Sequence, residues 1–164
     1  MKKILFLLFA SFILLVSCQK DNIEKEIIGT WSYKTLEDIY LYLGDEMYSF
    51  KESDSENFSL TQKEYNRNWS GFKLVLKKDN SGTFYISGGS VPIKTYEIVA
   101  DRLMITLTFL DGNSGILSFK YKLIDSSTMH LIWDVETIYN MGGSLPSSML
   151  EYDNVEIITS MKKT

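Results

Sequence analysis

Few residues in this chain have the types and spacing that chemistry needs. Its 164 residues hold one cysteine, Cys18, and one histidine, His130. A lone cysteine closes no internal disulfide, and as a nucleophile it would need a preorganised base beside it. His130 and Asp134 stand four apart in "MHLIWDVETIY", a stretch with the pattern of a strand. Four strand residues separate two side chains by about 13 Å, beyond the reach of a catalytic pair. Beyond His130 and Cys18, only carboxylates remain as metal ligands. Glu52, Asp54 and Glu56 in "KESDSEN" and the run Asp111-Gly112-Asn113 have the look of calcium ligands. The latter fails the spacing of a calcium-binding loop, because the position of the bidentate glutamate is held by Lys122. Solvated loop charge accounts for both. Neither a glycine-rich phosphate cradle nor a nucleophile elbow occurs. The expectation is a protein that is not an enzyme and carries no metal and no cofactor.

What Cys18 does is set by the segment in front of it. "MKKILFLLFASFILLVS" carries two lysines and then an apolar run from Ile4 to Val16. A bilayer span needs roughly 20 apolar residues and a secretory core about 7 to 15, so residues 1–17 have the form of a signal peptide. Leu15-Val16-Ser17-Cys18 resembles the lipobox of bacterial lipoproteins. The resemblance implies cleavage before Cys18, a diacylglyceryl group on its sulfur and a third acyl chain on its amine. Several chains together anchor a protein stably where a single one does not. The membrane is therefore an expected partner. Residues 18–26 are polar and aperiodic, as in a tether, and Gln19 stands where enterobacterial lipoproteins retained in the inner membrane carry aspartate. By that analogy the expected location is the outer membrane, on its periplasmic or surface face.

Without the signal the chain keeps 15 basic residues against 21 acidic ones, a formal charge of −6. Nucleic-acid binders cluster Lys and Arg to neutralise phosphates, so nucleic acid is not an expected partner. The remaining residues suffice for one domain, residues 27–164.

Along that domain apolar residues alternate with polar ones between turn signals, the mark of antiparallel strands with one wet face. "GFKLVLKK" sets Phe72, Leu74 and Leu76 on one side, and "DNSG" (79–82) turns into "TFYIS". "KTYEIVA", "RLMITLTFL", "ILSFKYKLI", "MHLIWDVETIY" and "EYDNVEIITS" follow, after a first strand "IIGTWSYKT". About eight strands in sequential hairpins predict an all-β fold, an antiparallel up-and-down barrel. In such a meander the connections alternate between two rims. One rim receives the tight "DNSG", "AD" and "DSST". The other receives residues 36–70, "GGSVP", "DGNSG" and "NMGGSLPSSML". A closed end and a mouth are expected.

Gly29-Thr30-Trp31 resembles the Gly-x-Trp signature of lipocalins, and the domain is similar to the lipocalin-like lipoproteins of Bacteroidetes envelopes. The resemblance implies that Trp31 packs across the closed end, with Gly29 before it as a structural residue, and that the long insertion after the first strand is a lid. Two lipocalin features are missing: "IDSST" replaces the Thr-Asp-Tyr-like motif, and no helix follows the eighth strand.

In the insertion, Leu36, Ile39, Tyr40, Leu43 and Met47 fit a helical stripe, while "IYLYLGDEMYSF" equally fits a hairpin. Its aromatic residues are many: Tyr40, Tyr42, Tyr48, Phe50, Phe58, Tyr65 and Trp69. They either form a mobile lid that touches a hydrophobic or sugar-like ligand or plug the mouth. Tyr121 and Trp133 point inward on the alternation, as do Phe84 and Ile86, either lining a cavity or filling the core. Tyr40, Tyr42, Tyr48, Phe50, Trp69, Tyr121 and Trp133 are thus the candidate ligand contacts. Two functions remain open: an anchored barrel that binds a small hydrophobic or amphipathic ligand at its mouth, or a filled barrel that docks on an envelope protein.

Overall fold

The computed structural model describes residues 26–86, 88–109, 111–141 and 144–164. The signal peptide read over residues 1–17, Cys18 and the tether as far as residue 25 lie outside them. Among the described residues no helix is long and apolar enough to cross a membrane.

The chain is a closed antiparallel barrel of eight strands with one extra strand at its edge. The first strand, β1 (Gly29–Leu43), is fifteen residues long. Its start pairs with β3 (Lys73–Leu76), and most of its length pairs with the last strand, β9 (Asn154–Lys163), which closes the cylinder. Irregularities in register at Tyr33/Thr35 and Leu36/Asp38 bend β1 enough to serve both neighbours. Between them run β4 (Gly82–Ile86), β5 (Gly89–Val99), β6 (Arg102–Thr108), β7 (Ser114–Asp125) and β8 (Thr128–Asp134) in sequence order.

The register places the connections. β1 runs from one rim to the other and β3 returns, since Gly29 pairs with Leu76 and Ser32 with Lys73. The turns 77–81, 100–101 and 126–127 therefore lie at the rim where β1 begins. Both long insertions, 44–72 and 135–153, leave from the opposite rim. The expected segregation into a tight end and a mouth is what the barrel has. At the tight end Asn80 takes the left-handed backbone (φ 61°) that "DNSG" calls for. Gly82 is there for closeness, because a Cβ on it would lie 2.0 Å from the Val75 carbonyl oxygen.

Four expectations about the elements are corrected. The first strand does not stop at Thr35 but continues to Leu43, and the segment read as helix or hairpin is a hairpin: β1 turns at Gly44 (φ 59°) into β2 (Glu46–Ser49), with Leu41 opposite Tyr48. After it come two helices where a loop stood, α1 (Phe50–Ser53) and the fifteen-residue α2 (Ser55–Trp69). Finally, "MHLIWDVETIY" is a strand only as far as Asp134. That side chain accepts the backbone N–H of Thr137 and starts α3 (Val135–Asn140), an N-cap that ends the strand pattern. "GGSVP" is mostly the start of β5 and not a loop.

The barrel interior is filled. Leu36, Ile39, Leu74, Leu103, Ile105 and Leu131 are fully buried. Packed among them are rings in edge-on contact, Phe72 to Phe84 at 5.2 Å and Phe119 to Trp133 at 4.9 Å, the offset geometry that aromatic quadrupoles favour. Trp69 caps these rings, 4.8 Å from Trp133. At the tight end Trp31 is fully buried, donates its indole N–H to the Ile27 carbonyl at 2.7 Å, and lies under the Lys163 ammonium. Gly29 before it holds φ 139°, a backbone that side chains rarely adopt.

Candidate functional site

The packed rings stop short of the mouth and leave a cavity of about 260 Å³. Its floor is Trp133 from β8 with Ile157 and Thr159 from β9, all inward on the strand alternation. One wall is the last half of α2, where Tyr65 and Trp69 stack in parallel at 6.4 Å, as residues four apart on a helix can. The opposite wall is Ile138 of α3 with Met141 and Ser144 after it, and Ile86 at the end of β4 completes the lining.

Each helical wall is held by specific bonds. β3 is only four residues long, so the middle of β1 has no strand beside it on that edge, and α2 fills the gap. Asn66 Oδ1 accepts from the Tyr33 hydroxyl at 2.8 Å and from the Leu36 backbone N–H at 3.1 Å, while Gln62 donates to the Leu36 carbonyl at 2.7 Å. The backbone groups freed by the irregular register are thereby satisfied. At its other end α2 is capped by Asp54, which accepts from the Asn57 backbone N–H, and Phe58 packs edge-on against Phe50. This long insertion is a latched wall of the site.

α3 is held from the outer surface of the barrel. Asp134 accepts from Arg102 at 2.5 Å as well as capping the helix, and the Thr137 hydroxyl reaches Asp134 and the Ser118 carbonyl. A second outer pair, Lys120 with Glu156, is joined by the Tyr42 hydroxyl, which donates to Glu156 at 2.9 Å. Burial, then this hydrogen bond to a carboxylate, push the Tyr42 phenol up to about 12.

The cavity is apolar, and its floor is already satisfied. Trp133 donates its indole N–H to the Thr159 hydroxyl at 2.9 Å, and that hydroxyl donates onward to the Leu131 carbonyl. Among the described residues no charged side chain lines the cavity. Tyr65 is the exception in the walls: burial, with Glu64 second, pushes its phenol up to about 12, and its hydroxyl has no hydrogen-bond partner among the described residues.

Of the seven candidate contacts, Trp69 and Trp133 line the cavity and the other five do not. Tyr40 and Tyr42 alternate with the inward Ile39 and Leu41 and so face the outside of the barrel. Tyr48 is exposed on β2 and donates to Glu46. Phe50 packs on Phe58 at the start of the helical segment. Tyr121 points inward but lies near the tight rim, its backbone N–H donating to the Asp101 carbonyl. The lining residues with no forewarning in the sequence are Ile138, Met141, Ser144, Ile157 and Thr159.

The carboxylates serve local structure. Asp54 is a helix cap, and Asp111 accepts both the backbone and the side-chain N–H of Asn113, bonds that hold its carboxyl below the usual range. Among the described residues no group of three or more His, Cys, Asp or Glu could hold a metal ion.

The fold and site define a class: a small closed antiparallel barrel with a shallow apolar cavity at the rim that carries its long insertions. No family model matches the chain, and no curated protein matches it. Among solved structures, a DUF4847 family protein from Bacteroides vulgatus is similar over 83% of this chain and 95% of its own, with 16% identity and a TM-score of 0.43. Likeness at that level carries no argument about function.

Proposed function

We propose that this protein is a lipocalin-like lipoprotein of the outer membrane, anchored through acyl chains on Cys18, that binds a small hydrophobic or amphipathic ligand at the open rim. In this reading the protein binds and does not catalyse. The observation that carries the reading is the cavity between α2 and α3. Ligand sites are typically apolar hollows of about 300–1,000 Å³ with a few polar groups. At about 260 Å³ this one falls just below that range. A dry apolar hollow of about 150 Å³ takes one benzene-sized molecule. The ligand, or the part of it that enters, is accordingly smaller than two such rings.

Protein lacking residues 1–18, incubated with envelope extract and analysed by native mass spectrometry, tests the binding. A repeatable small-molecule adduct that is lost in the cavity-filling Ile138→Trp variant is the expected result. Repeatedly empty spectra would refute it. Anchorage has a separate test, since labelled palmitate should enter the wild type and not Cys18→Ala.

A second reading, a lipoprotein that docks on another envelope protein, is favoured by the filled interior and by the exposed Leu43 at the end of β1 and Met47 and Leu150 in the long connections. It predicts empty spectra together with cross-links from those positions to a protein partner.

A further inference from the structure

The cavity holds several groups able to make hydrogen bonds, and they differ in how they are used. The Trp133 N–H and the Thr159 hydroxyl are spent on each other and on the Leu131 carbonyl. Tyr65 is different. Its ring is one face of the cavity, it is held in place by its parallel contact with Trp69, and its hydroxyl has no partner among the described residues. Its nearest phenol neighbour cannot serve it by donation, because the Tyr33 hydroxyl gives its proton to Asn66. No buried side-chain oxygen or nitrogen among the described residues lacks a partner, so this hydroxyl is open to water, and a ligand that displaces that water must supply an acceptor in its place or forfeit the bond. The neutral phenol is the form present at physiological pH, so what it offers a ligand is a proton to share. Ser144, across the cavity, is a third hydroxyl in the lining after those of Tyr65 and Thr159.

Charge decides the rest. Among the described residues no lysine or arginine lines the cavity, Arg67 lining the neighbouring hollow beyond Trp69 and Ile86 instead, and the chain as a whole is acidic. An anion entering would lose its hydration without a cation to replace it, and buried unpaired charge is strongly disfavoured. A pure hydrocarbon would fit the walls but leave the Tyr65 hydroxyl unserved.

We infer that the ligand is an uncharged molecule, or an uncharged end of a larger one, consisting of a single ring or short alkyl segment that carries one acceptor oxygen, a ketone, ester or ether, bonded by the Tyr65 hydroxyl. This rests on the binding reading given above and names the ligand class for the same cavity.

Three ring-sized probes separate the possibilities: toluene, acetophenone and benzoate, titrated into protein lacking residues 1–18 with tryptophan fluorescence and methyl NMR as readouts. Acetophenone should bind about two- to tenfold more tightly than toluene, the range of one net hydrogen bond, and benzoate more weakly than acetophenone. In Tyr65→Phe the ratio of acetophenone to toluene affinity should fall to near one. Because it is a ratio within one protein, a general loosening of the fold does not imitate the effect. In the wild type the Tyr65 ring carbon bearing the hydroxyl should shift with acetophenone more than with toluene. Equal affinities for the two neutral probes in the wild type, or a ratio unaltered by Tyr65→Phe, would overturn the inference while leaving the cavity a binding site. Benzoate binding best would overturn it as well. Binding of none of the three would instead remove the binding reading itself.

Discussion

The Trp133 indole N–H donates to the Thr159 hydroxyl at 2.9 Å across the paired strands β8 and β9, and both side chains form the floor of the mouth cavity. The bond lets a tryptophan face a hollow without leaving a buried donor unpaired. Thr159→Val removes the acceptor while keeping the shape, and we expect a loss of about 1–3 kcal/mol, the cost of an unsatisfied buried group. Urea denaturation measures it, and the Trp133 indole proton resonance should move upfield. An unchanged midpoint would show that the bond contributes nothing.

Asn66 joins α2 to β1 through a single oxygen that serves two donors, the Tyr33 hydroxyl and the Leu36 N–H. Asn66→Ala leaves both unserved and should cost about 2–3 kcal/mol, while Asn66→Asp retains the acceptors and should cost less. Hydrogen exchange adds a local test: residues 55–69 should lose protection in the alanine variant before the barrel strands do.

Asp134 has two tasks, capping α3 and pairing with Arg102. Asp134→Asn keeps an oxygen for the cap and loses only the ion pair, a partly exposed one whose expected value is below about 1 kcal/mol. Asp134→Ala loses the cap too, typically worth about 1 kcal/mol more. Equal effects of the two substitutions on thermal stability would mean that the cap does not hold the helix.

The barrel's strands, their order and the two rims were legible because they rest on signals of short range. "GFKLVLKK" alternates cleanly, "DNSG" turns, and in a meander loop lengths alone assign the rims. α2 was not legible. Its buried face is carried by Phe58, Tyr65 and Trp69, with Leu60 pointing to solvent, and three asparagines of weak helix propensity lie within it. Asp54 as a cap, followed by aromatic residues spaced seven and four apart, is the signal that would have found it. For the site the difficulty is of another kind. Alternation puts Trp133, Ile157 and Tyr121 all inside, and whether an inward residue lines a cavity or fills the core depends on the height at which the packed rings end. Tyr40 and Tyr42 were misplaced because the strand continues through them and turns them outward.

Burial holds back two kinds of tyrosine: Tyr65 in the cavity wall and Tyr42 on the outer surface, both raised to about 12, with Tyr33 raised further still. Between the ordinary tyrosine value near 10 and these raised values, the unfolded chain gives up protons that the folded chain keeps. Stability should therefore be flat with respect to these groups below about pH 10 and fall as pH rises toward 12. Absorbance at 295 nm should show a late tyrosine step coinciding with loss of ellipticity, and Tyr65→Phe should shrink the step. Complete titration near pH 10 in a folded protein would contradict the burial of these groups.

Rings plug the barrel from within and leave an apolar hollow beneath α2 and α3. Methyl NMR during a titration with toluene reads this directly. Saturable shifts are expected at the methyls of Ile86, Ile138, Met141 and Ile157, with Leu76 and Met129 near the tight rim unmoved. Shifts centred on that second pair, or none at the cavity methyls at millimolar toluene, would contradict it.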